Sequence, residues 1–146
     1  MATGRESLAT LIFGEIAMAE QLARTRLSRV LPRGMELSHF MVLNHLCQVQ
    51  AERTPAELAR VFQLTRAAMT NTLRRLERAG HVHVRPDWDD GRRKLVSISP
   101  SGRQARDYAL GAITPFLEEV MRPIGEERLR AALPVLRELR QRLGKA

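Results

Sequence analysis

The sequence is poor in residues that several classes of protein require. Cys47 is the single cysteine among 146 residues, which excludes an internal disulfide and a multi-cysteine zinc site. No apolar run approaches the roughly 20 residues that span a bilayer. Glu6, Glu15 and Glu20 interrupt the stretch in which a signal peptide would need apolar residues. We therefore expect one cytoplasmic domain without membrane contact.

Aromatic residues and enzyme motifs are also scarce. The chain has only six aromatic side chains, and only Phe62 and Trp88 lie between Arg60 and Arg106, where the basic residues cluster, so single-strand or RNA binding is disfavoured. We find no glycine-rich phosphate loop, no Gly-x-Ser-x-Gly, no His-Glu-x-x-His and no paired carboxylates in a plausible cleft. We therefore predict that the protein is not an enzyme and holds no cofactor.

Positive charge is concentrated in the middle of the chain. The formal net charge is +8, and the segment from Arg60 to Arg106 holds eleven of the 24 basic residues but only four of the sixteen acidic ones. An arginine-rich composition would explain the choice of arginine over lysine, but not this clustering. The pattern indicates a surface that binds a polyanion, and nucleic acid is the expected partner.

Both ends of the chain have the apolar spacing of amphipathic helices. Helices are predicted from Glu6 to Leu31 and from Leu37 to Val49, and two more follow the strands described below, the last one after Gly125. Pro115 and Pro134 lie inside these last two patterns, where we expect kinks or breaks.

The middle of the chain has the start and stop signals of two short helices. Thr54, Pro55 and Glu57 predict an N-terminus in which the Thr54 hydroxyl accepts the Glu57 N–H and the Glu57 side chain reaches back to the Thr54 N–H. Thr65 predicts the N-cap of the next helix, and Gly80 predicts its end.

After this helix the hydrophobic period changes from 3.6 to 2. Residues 81–85 and 94–99 alternate, and the polar segment 86–93 between them contains Asp90 and Gly91, which favour a turn. Two short helices followed by a hairpin predict a winged helix-turn-helix.

The second of these helices is expected to enter a major groove. If Met69, Leu73 and Leu76 face the core, Arg66 is free to reach guanine and Asn71 to reach adenine. An arginine-bearing solvated face is the alternative, but uncharged outward residues at the helix start count against it. The expected DNA-binding residues of the helix are Thr65, Arg66, Ala67, Ala68, Thr70, Asn71, Arg74 and Arg75.

The hairpin tip is expected to be a second DNA contact. Asp90 can orient Arg92, which leaves Arg92 or Arg93 to enter a narrow minor groove. Lys94 completes the predicted set of DNA-binding residues.

These segments together resemble a known family. Thr54 to Gly80 resembles the helix-turn-helix of the MarR family, and Val84 to Gly102 is similar to its wing, including an Asp-x-Arg signature at Asp90 and Arg92. His39–Leu43 resembles the preceding helix. Trp88 departs from the family, which usually has a smaller residue there, and packing, stacking or contact with the sugar–phosphate edge remain open for it.

The resemblance implies a fold and a function. The fold class is mainly α with a small β-hairpin, as one domain over 1–146, with dimerisation helices at 5–34 and 103–146 and a DNA-binding lobe at 35–102. The implied function is a sequence-specific double-stranded DNA-binding transcription regulator, a repressor that acts as a homodimer on a pseudo-palindromic operator. The expected dimer interface contains Leu8, Leu11, Ile12, Leu129, Leu133, Leu136 and Leu139. A winged-helix module that binds protein instead of DNA is the alternative.

Little in the sequence identifies a regulatory signal. The resemblance implies release from DNA by a small aromatic or phenolic effector, whose site the residues do not assign, and regulation without any effector is the alternative. Cys47 lies on an apolar helix face, so we expect a buried structural thiol. His39 and His45, like His81 and His83, lack carboxylates at ligand spacing, so we expect no metal site.

Overall fold

Six α-helices and one β-hairpin form the protein in a computed structural model that describes residues 6–145. The elements are α1 (Leu8–Val30), α2 (Leu37–Val49), α3 (Pro55–Val61), α4 (Arg66–Arg78), β1 (Val82–Pro86), β2 (Lys94–Ile98), α5 (Pro100–Met121) and α6 (Glu126–Leu143). The predicted fold class is confirmed. Residues 1–5 and 146, at the limits of the predicted domain ranges, lie outside the described residues. Within 6–145, no helix is long and apolar enough to cross a membrane.

The two short helices begin where their capping residues predict. The Thr54 hydroxyl accepts the Glu57 N–H at 3.1 Å, and the Thr65 hydroxyl accepts the Ala68 N–H at 3.1 Å. The predicted hydrogen bond from the Thr54 N–H to the Glu57 side chain is wrong in its donor. The Thr54 hydroxyl itself donates to Glu57 Oε1 at 3.1 Å, because it offers the carboxylate a nearby donor that competes with the backbone N–H.

The hairpin is antiparallel, with Val82 opposite Ile98 and Pro86 opposite Lys94. The chain before α3 extends this sheet, since Arg53 N–H donates to Val96 C=O at 2.9 Å and Val96 N–H donates to Arg53 C=O at 2.8 Å. Periodicity did not reveal this extra pairing, because a single bridge has no repeat. The sheet is thereby fastened to the start of α3.

One hydrophobic core holds the helix-turn-helix and the hairpin together. Leu43 of α2, Leu58 of α3 and Met69 of α4 are completely buried, and Val96 of β2 is buried with them. A second cluster joins α1, α2 and α5 around Phe40, and it includes Leu27, Leu31, Ala109 and Ile113. The first core orients α4 relative to the wing, and the second attaches this lobe to the long helices.

The long terminal helices continue through both prolines. We expected kinks or breaks at these positions, and because Pro115 lies inside α5 and Pro134 inside α6, the breaks are wrong. A proline removes one backbone donor but has a φ angle close to the helical value, so a helix can continue through it. Within the described chain α6 has no buried residue, and Leu133 and Leu136 are 44% and 49% exposed. About half of each of these apolar side chains is left uncovered by its own protomer.

Candidate nucleic-acid interface

A cleft of about 410 Å³ separates α4 from the wing. The side chains at positions 66, 70 and 74 fall four residues apart and therefore share one helix face. The wing supplies three consecutive basic residues to the same cleft. Its lining contains one acidic side chain, Glu77, and the predicted DNA-binding residues Arg66, Thr70, Arg74, Arg92, Arg93 and Lys94. Two parts of the chain that are distant in sequence thus form one positively charged concave surface.

Helix α4 has the predicted inner face. Met69, Leu73 and Leu76 are all buried, which confirms the orientation inferred from their spacing. Each of the eight DNA-binding residues predicted at the start and along the helix is exposed. The helix is therefore held by its apolar side, and its opposite side is accessible to a ligand.

Six of the twelve predicted residues do not line the cleft, and they are Thr65, Ala67, Ala68, Asn71 and Arg75 of α4 and its N-cap and Asp90 of the wing. Arg75 Nη1 lies 3.2 Å from Glu36 Oε1 at the start of α2, in a pair whose side chains are more than half exposed. Asn71 is exposed but follows Thr70 by 100° around the helix, on the flank of the cleft face. The structure therefore brings together six of the predicted residues and leaves Arg75 near α2.

The wing tip is organised by two acidic side chains. Asp90 Oδ1 accepts bonds from the backbone N–H and the Nε of Arg92, both at 3.2 Å, as the sequence predicted. The Asp87 carboxylate accepts the Asp89 N–H at 3.0 Å and Arg93 Nη2 at 2.9 Å. The backbone N–H of Asp89, followed by the Arg93 guanidinium, lowers the pKa of Asp87 against the opposing effect of burial. Arg93 therefore braces the loop, while the Arg92 side chain is 92% exposed.

A second brace lies at the base of the tip. Arg85 Nε and Nη2 donate to Glu52 Oε2 and Oε1, both at 2.8 Å, in a bidentate pair. The Arg85 guanidinium carbon also lies 4.2 Å from the centroid of the Trp88 ring, and Trp88 is 82% exposed. The sequence did not predict this arrangement, because Glu52 lies more than thirty residues before Arg85 and Trp88.

His39, His45 and Cys47 have structural roles. His39 is buried and its Nδ1 accepts the Glu36 N–H at 3.2 Å, which caps α2. His45 packs edge-on against Phe62 with ring centroids 5.6 Å apart. Cys47 is a buried free thiol. In residues 6–145 no group of three or more His, Cys, Asp or Glu side chains could hold a metal ion.

The structure leaves the predicted dimer residues accessible. Leu8, Leu11 and Ile12 of α1 are 73%, 49% and 46% exposed. Leu133 and Leu136 of α6 are also exposed, while Leu129 and Leu139 are half-buried. This distribution would suit a surface that a second chain covers, since isolated apolar residues are common on surfaces but rows of them are not.

Sequence comparison finds a similarity to a known family in the central lobe. Residues 33–93 match the sequence model of the MarR family. The chain is also 34% identical over 95 residues to the transcriptional activatory protein BadR of Rhodopseudomonas palustris. That match covers 64% of this chain but only 54% of BadR, so the chain spans about half the length of this relative.

Solved structures of MarR-family and related regulators have the same fold. A MarR variant from E. coli in complex with operator DNA superposes with a TM-score of 0.76 at 23% identity, over 92% of this chain and 99% of that one. The organohalide-sensing regulator RdhR in its 2,4-dichlorophenol-bound form superposes with a TM-score of 0.81 at 19% identity, over 99% of this chain and 89% of that one. The MarR family consists of non-enzymatic DNA-binding regulators, in agreement with the prediction.

The MarR-family resemblance did not reveal every residue of the site. Thr54, Pro55 and Ala56 also line the cleft, and the sequence suggested for them only the start of a helix. The extra bridge between Arg53 and Val96 places them there, next to the wing. Their inclusion in the cleft depends on this long-range pairing.

Proposed function

We propose that the protein is a sequence-specific double-stranded DNA-binding transcription regulator. The observation that carries this proposal is the convergence of α4 and the wing on one cationic cleft, in a chain whose positive charge is concentrated in these same elements. The N-terminal part of α4 enters the major groove, where Arg66 and Asn71 contact base edges. Arg92 enters the adjacent minor groove. The operator-bound E. coli MarR variant with the same fold supports this arrangement.

The same proposal includes a homodimer. The exposed apolar residues of α1 and α6 need a cover, and a second copy of the chain provides an identical apolar surface. Two copies present two α4 helices, so the operator is an imperfect palindrome with half-sites about one helical turn apart. The terminal helices thus form the dimerisation part, and residues 35–102 form the DNA-binding lobe.

We propose repression as the direction of regulation, because a dimer that lies across a promoter excludes polymerase from the same DNA. BadR is named as an activatory protein, and a promoter fusion distinguishes the two directions. A cavity of about 810 Å³ between the α1–α2 connection, the end of α4 and the start of α5 is the candidate effector site. Arg33, His39 and Tyr108 line it, which suits a small acidic or phenolic aromatic molecule. RdhR, bound to 2,4-dichlorophenol, supports this class of effector.

DNA-binding measurements test the proposal. Arg92→Ala and Asn71→Ala should each weaken binding to a duplex selected by the wild-type protein by about 1–3 kcal/mol, without affecting dimerisation. Arg142→Ala is the charge-matched control, because Arg142 is an exposed arginine of α6 that lies outside both DNA-contacting elements. Its affinity should stay close to wild type.

Salt dependence separates this function from the alternative protein-binding module. Wild-type affinity should fall steeply as salt rises, because bound phosphates release counterions, and Arg92→Ala should reduce that slope by about one. An apolar protein interface would show no such slope. Full affinity in both Arg92→Ala and Asn71→Ala would overturn the assignment of α4 and the wing as the DNA contacts.

A further inference from the structure

The exposed indole of Trp88 is the most unusual feature of the wing. At 82% exposure it is the most exposed of the large hydrophobic side chains in the described chain, and it is also the only tryptophan of the sequence. An exposed tryptophan is normally free to move. Here one face of the ring is covered by the Arg85 guanidinium at 4.2 Å, and Arg85 is held by two bonds to Glu52. The ring is therefore held in place while its other face remains open.

The backbone pairing locates Trp88 relative to Arg92. The N–H of Asp87 donates to the C=O of Arg93 at 3.0 Å, so strand pairing continues one step beyond the hairpin register. Trp88 therefore continues one arm of the tip beyond its last backbone bond. Arg92 lies on the other side, in the closing turn in which the Arg93 N–H donates to the Asp90 C=O at 3.0 Å. Facing residues of an antiparallel pair lie about 5 Å apart, which is the separation of the two arms where Asp87 faces Arg93.

The width of the minor groove determines which part of the DNA Trp88 would contact. The minor groove of B-DNA is only about 6 Å wide, so a tip with two arms cannot insert both of them. When the Arg92 side chain enters the groove, the other arm must lie over its sugar–phosphate wall. An indole suits that wall, because its face packs against deoxyribose carbon atoms and its N–H donates to a phosphate oxygen.

We propose that Trp88 is a second DNA contact of the wing, with its open face against the wall of the minor groove that Arg92 enters. Glu52 and Arg85 are positioning residues that hold the ring. This inference rests on the proposed function. The contact is uncharged and touches no base edge, so it contributes affinity to all sequences equally and adds no discrimination between them.

Fluorescence provides the direct test, because all tryptophan emission comes from this residue. The probe is a short duplex selected by the wild-type protein from a random pool, and the quencher is acrylamide, which is neutral and is not repelled by DNA. Binding of the duplex should lower quenching severalfold and shift the emission maximum to shorter wavelength. Equal quenching with and without bound duplex would overturn the proposal. So would protection that already arises from dimerisation without DNA.

Variants distinguish this contact from a phosphate-binding charge. Trp88→Ala should weaken binding roughly 3- to 10-fold at every salt concentration and leave the salt slope unchanged, whereas Arg92→Ala lowers the slope. Trp88→Phe keeps the ring face and should retain most of the affinity. Full affinity in Trp88→Ala, with Arg92→Ala still impaired, would overturn this inference and leave the proposed function intact. Failure of the wild-type protein to select any duplex would overturn both.

Substitution of Glu52 tests the positioning role. Glu52→Gln removes a negative charge, and electrostatics alone would then raise affinity for DNA. We expect the opposite, a loss of roughly 3-fold, because Arg85 and then Trp88 are released. The loss should vanish in the Trp88→Ala background, as a double-mutant cycle of coupled residues requires. Quenching of the bound Glu52→Gln variant should also rise. Higher affinity in Glu52→Gln, or an unchanged loss in the double variant, would overturn the positioning role.

Discussion

The junction between α5 and the base of the wing should tolerate no side chain at Gly102. A Cβ atom built there would lie 2.0 Å from the carbonyl oxygen of His81 and 2.9 Å from Ile98 Cγ1. The carbonyl is backbone and cannot rotate away as a side chain would. Gly102→Ala therefore requires α5 and the hairpin to separate.

Three hydrogen bonds oppose that separation. Ser99 N–H donates to His81 C=O at 3.0 Å, the Ser99 hydroxyl donates to Gly80 C=O at 2.6 Å, and Gly102 N–H donates to Ser99 Oγ at 2.9 Å. The Cβ atom would lie roughly 1.4 Å closer to the His81 oxygen than ordinary van der Waals contact allows. We therefore expect a strain at the upper end of the usual cost of overpacking, about 2–3 kcal/mol. We expect the free energy of unfolding to fall by that amount.

Gly111→Ala is the matched control, because it makes the same substitution within the same helix. A Cβ atom at Gly111 meets nothing within 4 Å, so the higher helix propensity of alanine should raise stability by about 0.5–1 kcal/mol. Urea unfolding followed by circular dichroism, at one protein concentration for all variants, measures both changes. Equal stability of the two variants would contradict this prediction, because it would show that the α5–wing junction is not tightly packed.

Two further predictions concern the dimer and pH. Leu133→Glu should convert the proposed dimer to monomers in analytical ultracentrifugation. Ala131→Glu is the control and should leave the dimer intact, because Ala131 lies about 200° away around α6. Dimers in both variants would contradict the assigned dimer surface. Burial lowers the pKa of His39 and nearby Arg75 adds to this, while Glu36 opposes it. The neutral ring accepts the hydrogen bond that caps α2, so protonation in acid should abolish this cap. The stabilisation that the cap provides should be complete above about pH 6.5 and should fall as pH drops through the lowered pKa. In denaturant titrations, His39→Gln should weaken this pH dependence of the free energy of unfolding. An unchanged pH dependence would contradict the capping role of His39.

Much of the fold could be predicted from local sequence. The Thr54 and Thr65 caps, the positive φ at Gly80 and the change of period after it are local signals, and each corresponds to an observed helix end or strand. The inward side of α4 followed from its spacing. The prolines predicted helix breaks that do not occur in α5 and α6, since a proline in a helix removes only one donor and neighbouring contacts keep the helix continuous.

Local sequence was enough to predict the helices, the hairpin, the positive charge of the middle segment and the pairing of Asp90 with Arg92, because these depend on neighbours within a few positions. Long-range packing was needed to pair Arg75 with Glu36, to bring Thr54 and Pro55 to the cleft, and to hold Trp88 against Arg85 and Glu52. Such contacts join residues far apart in the chain. Their geometry depends on how the cores orient whole elements, and no periodicity within one element contains that information.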